Sequence, residues 1–122
     1  MPMIETGSGT LYFDLCDLVP AWVDKPQTIV FHHGIAANTH IWADWLPALA
    51  TRYRLVRFDM RGFGKSAQPA RDYRWSFEAL VDDLLKVADA AGAERFHLVG
   101  ESIGGTVAMA CELAAPRRLL SL

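Results

Sequence analysis

The sequence predicts a parallel α/β fold, and three observations predict it. Short apolar runs alternate with helical periodicity in the order strand, helix, strand, helix, strand, helix, the order of βαβ units. Residues 28–33 are a short apolar run of the kind that a sheet covered on both faces requires, and residues 54–59 read as another strand. Residues 95–114 then pass from strand to helix through Gly100-Glu101-Ser102-Ile103-Gly104, a turn tight enough to lift a serine clear of the sheet.

Taken in order, residues 10–16 alternate imperfectly and predict an outer strand after the turn at Gly7-Ser8-Gly9; Asp24, Lys25 and Pro26 mark a loop. Residues 28–33 predict a central strand stopped by Gly34. Trp42, Trp45, Leu46 and Leu49 recur at helical spacing, with Pro47 admissible only in a first turn. Residues 54–59 predict the next strand, followed by the loop 60–66. From Ser76 onward, Phe77, Leu80, Val81, Leu84 and Ala88 share one helical face, with Asp82, Asp83, Lys86 and Asp89 mostly opposite, until Gly92 ends the helix. Phe96, Leu98 and Val99 supply the strand before the serine. Val107, Met109, Ala110, Cys111, Leu113 and Ala114 make the following helix apolar around most of its circumference, which predicts a buried helix. Residues 116–122 read as a loop entering a further apolar strand, so the serine strand would lie near an open sheet edge.

In the pattern Gly-x-Ser-x-Gly, small residues two before and two after the serine let a strained turn pass close to its neighbours. The hydroxyl of Ser102 would stand exposed at the positive end of the following helix. The competing expectation is an ordinary serine that spends its hydroxyl capping that helix.

Length and composition bound the rest. At 122 residues the chain makes one modest domain at most, and its 52% hydrophobic and 21% charged residues are those of a globular protein. A net charge of −2 without a basic cluster gives no electrostatic case for nucleic acid. No basic, apolar leader opens the chain and no run is long enough to span a bilayer, so a cytoplasmic location is the expectation. Cys16 and Cys111 lack metal-ligand spacing and read as reduced, buried small hydrophobes.

Three motifs together, His32-His33-Gly34, Asp59-Met60-Arg61-Gly62-Phe63-Gly64-Lys65-Ser66 and Gly100-Glu101-Ser102-Ile103-Gly104-Gly105, in this order and at these separations, resemble the α/β-hydrolase superfamily. The resemblance covers the whole chain but only the N-terminal half of the family's usual domain. It therefore implies that residues 1–122 are the N-terminal part of a single domain, a mostly parallel sheet flanked by helices and incomplete at the C-terminus. It implies that the His-Gly strand lies beside the serine strand, that Ser102 is the nucleophile, and that the Ile35 and Ile103 amides form the oxyanion hole, with His33, Gly34, Gly100 and Gly104 supporting. It implies no cofactor and no metal, and a small-molecule ester, lactone or ketone as substrate.

A serine hydroxyl is a weak nucleophile without a base, and the base needs an orienting acid. After Ser102 the chain holds Glu112 as its one carboxylate and no histidine, whereas the family places both partners there. The resemblance thus implies a histidine and an acid from outside this chain, in a missing half or a second chain; the alternative is an inert half or a structural partner. Among upstream histidines, His33 could serve as base or, more in keeping with the family, shape the oxyanion hole; His32 and His97 read as packed in their strands and His40 as a loop residue. Serine at position 102 argues against the superfamily's haloalkane dehalogenases and epoxide hydrolases, which carry aspartate there.

Other motifs do not carry chemistry. Gly64-Lys65-Ser66 lacks the glycine a phosphate-binding loop needs five positions earlier, where Asp59 stands, and Pro69 blocks the helix such a loop opens. Trp42, Trp45, Trp75 and Phe63 could line an acyl pocket, but core packing accounts for aromatics more often. Glu101 could face the site or a neighbouring loop.

Overall fold

The computed structural model describes residues 2–122. Six strands, Met3–Thr6 (β1), Gly9–Cys16 (β2), Thr28–His32 (β3), Arg54–Phe58 (β4), Phe96–Gly100 (β5) and Leu119–Ser121 (β6), join in one sheet of order β1-β2-β4-β3-β5-β6. β1 and β2 pair antiparallel, as do β2 and β4, while β4, β3, β5 and β6 run parallel. The helices are Trp45–Leu49 (α1), Phe77–Ala90 (α2) and Ile103–Ala114 (α3), with 3-10 turns at Thr39–Trp42 and Pro116–Arg118.

Every residue of β3 is buried, as a strand covered on both faces must be. One face carries the larger core, where α2 and α3 press Leu80, Leu84, Val87, Val107 and Cys111 against Val30, Val56, Phe58 and Leu98. The other carries a smaller core of Ile29, Phe31, Leu55 and Trp42, closed by Leu46 and Leu49 of α1. β3 pairs with both β4 and β5, and His32 lies opposite Gly100. This register levels the C-terminal ends of β3 and β5, so the loops that follow them meet.

The helix starts and stops follow local chemistry. Ser76 caps α2, its side chain accepting from Ala79 N at 3.0 Å, and Gly92 takes φ +74° just past the C-cap. Pro47 is the third residue of α1, inside the first turn, where its missing N–H costs nothing.

Four expectations change. The outermost strand is β1, not residues 10–16; its four residues, Met-Ile-Glu-Thr, are half exposed and too short to show a pattern. The helical spacing from Trp42 to Leu49 belongs to two pieces, because Asn38 caps a separate 3-10 turn whose Oδ1 accepts from His40 N. α3 is not buried all round: Gly104, Val107, Ala108 and Cys111 face the core, while Met109 and Leu113 are 57% and 87% exposed. Asp83, assigned to the polar face of α2, is 4% exposed and receives two hydrogen bonds from Arg61, at 2.9 and 2.7 Å. Arg61, itself 1% exposed, also donates to Ser8 O and Thr6 Oγ1, so both buried charges are paired and bonded.

Candidate active site

The site grows out of the turn between β5 and α3. Ser102 sits at φ 57°, ψ −123°, a conformation that a residue with a Cβ adopts at a cost of about 1–3 kcal/mol. Although it is the N-cap residue of α3, its side chain makes no capping hydrogen bond, and the residue is exposed. The capping role expected of an ordinary serine is therefore absent, and the hydroxyl stands free.

Close backbone approach holds this turn. A Cβ on Gly104 would come within 2.8 Å of His33 O and closer still to His32 O, and one on Gly100 would meet Gly105 Cα at 2.7 Å. Glycine at both positions is what lets α3 start directly beneath the end of β3. The Glu101 amide donates to His32 O at 3.1 Å, tying the turn to that strand. Across from it, a Cβ on Gly34 would lie 2.6 Å from Glu101 Oε2 and 2.9 Å from Ser102 Cβ. The His-Gly loop and the serine are thus in direct contact. Ile35 N and Ile103 N, the amides just after Gly34 and Ser102, donate to no acceptor among the described residues.

None of the four histidines hydrogen-bonds Ser102. His33 is fully buried; its Nε2 accepts from Met60 N at 2.8 Å, which places the ring proton on Nδ1, donating to Gly34 O at 2.7 Å. With its lone pair committed, His33 cannot serve as a base and instead braces the Gly34 carbonyl. His32 Nδ1 lies 2.9 Å from His33 O, and burial pulls its pKa down to about 4, so the ring is neutral. His97 bridges Ser121 Oγ at 2.6 Å and Gln27 Oε1 at 2.8 Å at the opposite end of β5, and His40 is exposed in a turn. Asp59, buried after β4, spends both oxygens on Thr39 N and Lys65 N, each at 2.8 Å. The Lys65-Ser66 stretch is likewise structural: Ser66 Oγ donates to Asp59 O and accepts from Tyr12 N. Among the described residues no group of three or more His, Cys, Asp or Glu is placed to hold a metal ion, and no helix is long and apolar enough to cross a membrane.

Beside the serine lies a cleft of about 460 Å³. Ile35 and Ile103, the residues just after Gly34 and Ser102, line it together with Met60, Trp75, Phe77 and Leu80. The four aromatics considered from the sequence divide between the sheet faces: Trp75 and Phe63 line this cleft, whereas Trp42 and Trp45 stack on Phe31 in the smaller core, with centroids 5.1 and 5.8 Å away. Phe77 and Leu80, whose spacing marks them as helix core, were not legible as cleft residues.

A family model described as alpha/beta hydrolase fold matches residues 27–122. The chain is 39% identical over 93 residues to a protein of Caulobacter sp. (strain K31) provisionally named carbamate hydrolase RutD, covering 76% of this chain and 34% of that one. It is 41% identical over 93 residues to fluoroacetate dehalogenase of Burkholderia sp, covering 74% and 31%. The enol-lactonase of Burkholderia xenovorans LB400 superposes with a TM-score of 0.84 at 25% identity, over 97% of this chain and 44% of that one. The chain spans less than half the length of each of these relatives. On the matched residues and the shared sheet, the chain belongs to the alpha/beta hydrolase fold family, of which it represents the N-terminal part.

Proposed function

We infer that this chain supplies the nucleophile and oxyanion hole of a serine hydrolase, and that the histidine and acid come from residues outside it. Ser102 Oγ attacks a carbonyl carbon while its proton passes to that histidine. The carbonyl oxygen becomes an oxyanion held by the Ile35 and Ile103 amides, each donor contributing about 3 kcal/mol in comparable sites. Collapse expels the leaving group, which takes the proton back, and water then releases the acyl group from Ser102. The substrates this chemistry covers are small carboxylic esters, lactones and ketones cleaved at a carbon–carbon bond, with no cofactor required.

The single observation that carries the reading is the strained Ser102, whose hydroxyl forgoes the helix cap and stands against the Gly34 loop. His33 and Gly34 support the hole, and Gly100 and Gly104 permit the turn. The likeness to a fluoroacetate dehalogenase does not extend that reaction here, because a hydroxyl rather than a carboxylate stands at position 102. With no histidine hydrogen-bonded to Ser102, the 122-residue chain by itself is inert in this reading and works as the N-terminal part of one larger catalytic domain, in the cytoplasm.

A fluorophosphonate probe tests this. The chain is treated alone and after mixing with a polypeptide that supplies the C-terminal part of a related hydrolase. The expected result is labelling of Ser102 in the mixture only. Labelling of the chain alone would show that the base lies within it, and labelling in neither sample would end the serine-hydrolase reading.

A further inference from the structure

The wall that this chain contributes to the cleft carries no charge. Of the side chains lining it, two carry a polar group: Ser76, whose hydroxyl oxygen accepts from Ala79 N as the cap of α2, and Trp75, with one indole N–H on a large apolar ring. Ile35, Trp75 and Phe77 are 63%, 50% and 45% exposed, so the apolar surface faces outward rather than into the core. Around the serine, the titratable groups that could meet a ligand are few. His33 is buried and bonded through both ring nitrogens, Arg61 is buried against Asp83, and Glu101 stands exposed beside Gly34.

A ligand carboxylate laid in this cleft would lose its water and find no cation on the wall to replace it, and Glu101 beside it would repel it. An alkyl or aryl group would instead cover apolar surface that water now touches. We propose that this cleft is the acyl subsite and that it selects substrates whose acyl group is apolar and uncharged, excluding acids such as keto-carboxylates and half-esters of dicarboxylic acids. The inference rests on the reading of Ser102 as the nucleophile, since that reading puts the acyl carbonyl at the Ile35 and Ile103 end of the cleft.

Binding to the Ser102→Ala chain, measured by ligand-observed NMR titration, tests the selectivity without requiring turnover. The probes are 2-heptanone and 6-oxoheptanoate, matched in length and differing in a terminal carboxylate. The ketone is expected to bind at least about tenfold more tightly than the keto-acid. Phe77→Lys, a change at a half-exposed position, is expected to narrow or reverse that ratio by about tenfold, whereas Leu113→Lys on the far face of α3 leaves it unchanged. Circular dichroism confirms that each variant is folded. Equal or tighter binding of the keto-acid, binding of neither probe, or a ratio insensitive to Phe77→Lys would overturn the proposal. Because Ser102 labelling is scored separately, a site that labels yet prefers the keto-acid sinks the selectivity alone. A chain that prefers the ketone yet never labels upholds the selective cleft and removes the nucleophile.

Discussion

Two helices of this chain begin at a serine, and the two serines behave oppositely. Ser76 is extended, at φ −154° and ψ 158°, and gives its side chain to the Ala79 amide. Ser102 is forced to φ 57° and gives its side chain to nothing in the helix. A serine at a helix start can serve the helix or serve a ligand, and the backbone conformation decides which. α3 forgoes a cap worth about 1 kcal/mol and carries strain besides. The burial of Val107, Ala108 and Cys111, all at 0% exposure, offsets that loss.

On the function proposed above, the widest separation between the two serines is in reactivity. In the assembled protein Ser102→Ala should reduce fluorophosphonate labelling to background, while Ser76→Ala leaves it unchanged, read by in-gel fluorescence; similar losses from both would erase the distinction. Next in size is the foundation of α2. Arg61→Ala strands Asp83, which is 4% exposed, without its partner, and should lower stability by about 3–5 kcal/mol in urea unfolding, far more than removing the Ser76 cap.

The support beneath Ser102 should show itself in acid. His32, whose carbonyl receives the Glu101 amide, has a folded pKa of about 4 against about 6.5 when unfolded. Its folded pKa is depressed, so between these values the unfolded chain binds the proton that the folded chain refuses, and stability falls as pH falls. The contribution is fully present above about pH 6.5 and is lost progressively toward pH 4, on the order of 3 kcal/mol in total. His32→Asn should flatten unfolding free energy across that window; an unchanged slope would show that other groups govern it.

The smallest effects have opposite signs. Ser76→Ala should cost about 1 kcal/mol through the lost cap. Ser102→Gly should add about 1 kcal/mol by releasing the positive φ. Thermal melts of the two variants, moving in opposite directions, would separate a serine that supports its helix from one held in strain.

Much of this was legible in the sequence because the signals were local. The strands at residues 28–33 and 54–59, the α2 face, the Gly92 stop and the strand-turn-helix around Ser102 each follow from spacing that neighbouring residues enforce. What escaped was decided by distant partners. Asp83 sits on a helix face that reads as polar, and only the fold brings Arg61 beneath it, from a loop 22 residues away. Whether His33 is a base or a brace depends on the Met60 amide, 27 residues along the chain. The cleft is likewise a product of three loops meeting: Phe77 and Leu80 have helical spacing, and nothing in that spacing tells a wall from a core.

The Arg61 guanidinium hydrogen-bonds two distant parts of the chain, the hairpin at Thr6 and Ser8 and Asp83 on α2, and lies 5.4 Å from the centre of the Tyr73 ring. Trimming the first eight residues would therefore do more than fray a sheet margin. It would deprive the buried guanidinium of two acceptors, and the first place to loosen would be the middle of α2, the helix that carries Phe77 and Leu80 to the cleft. Damage at the chain's start would register at the cleft wall about seventy residues downstream.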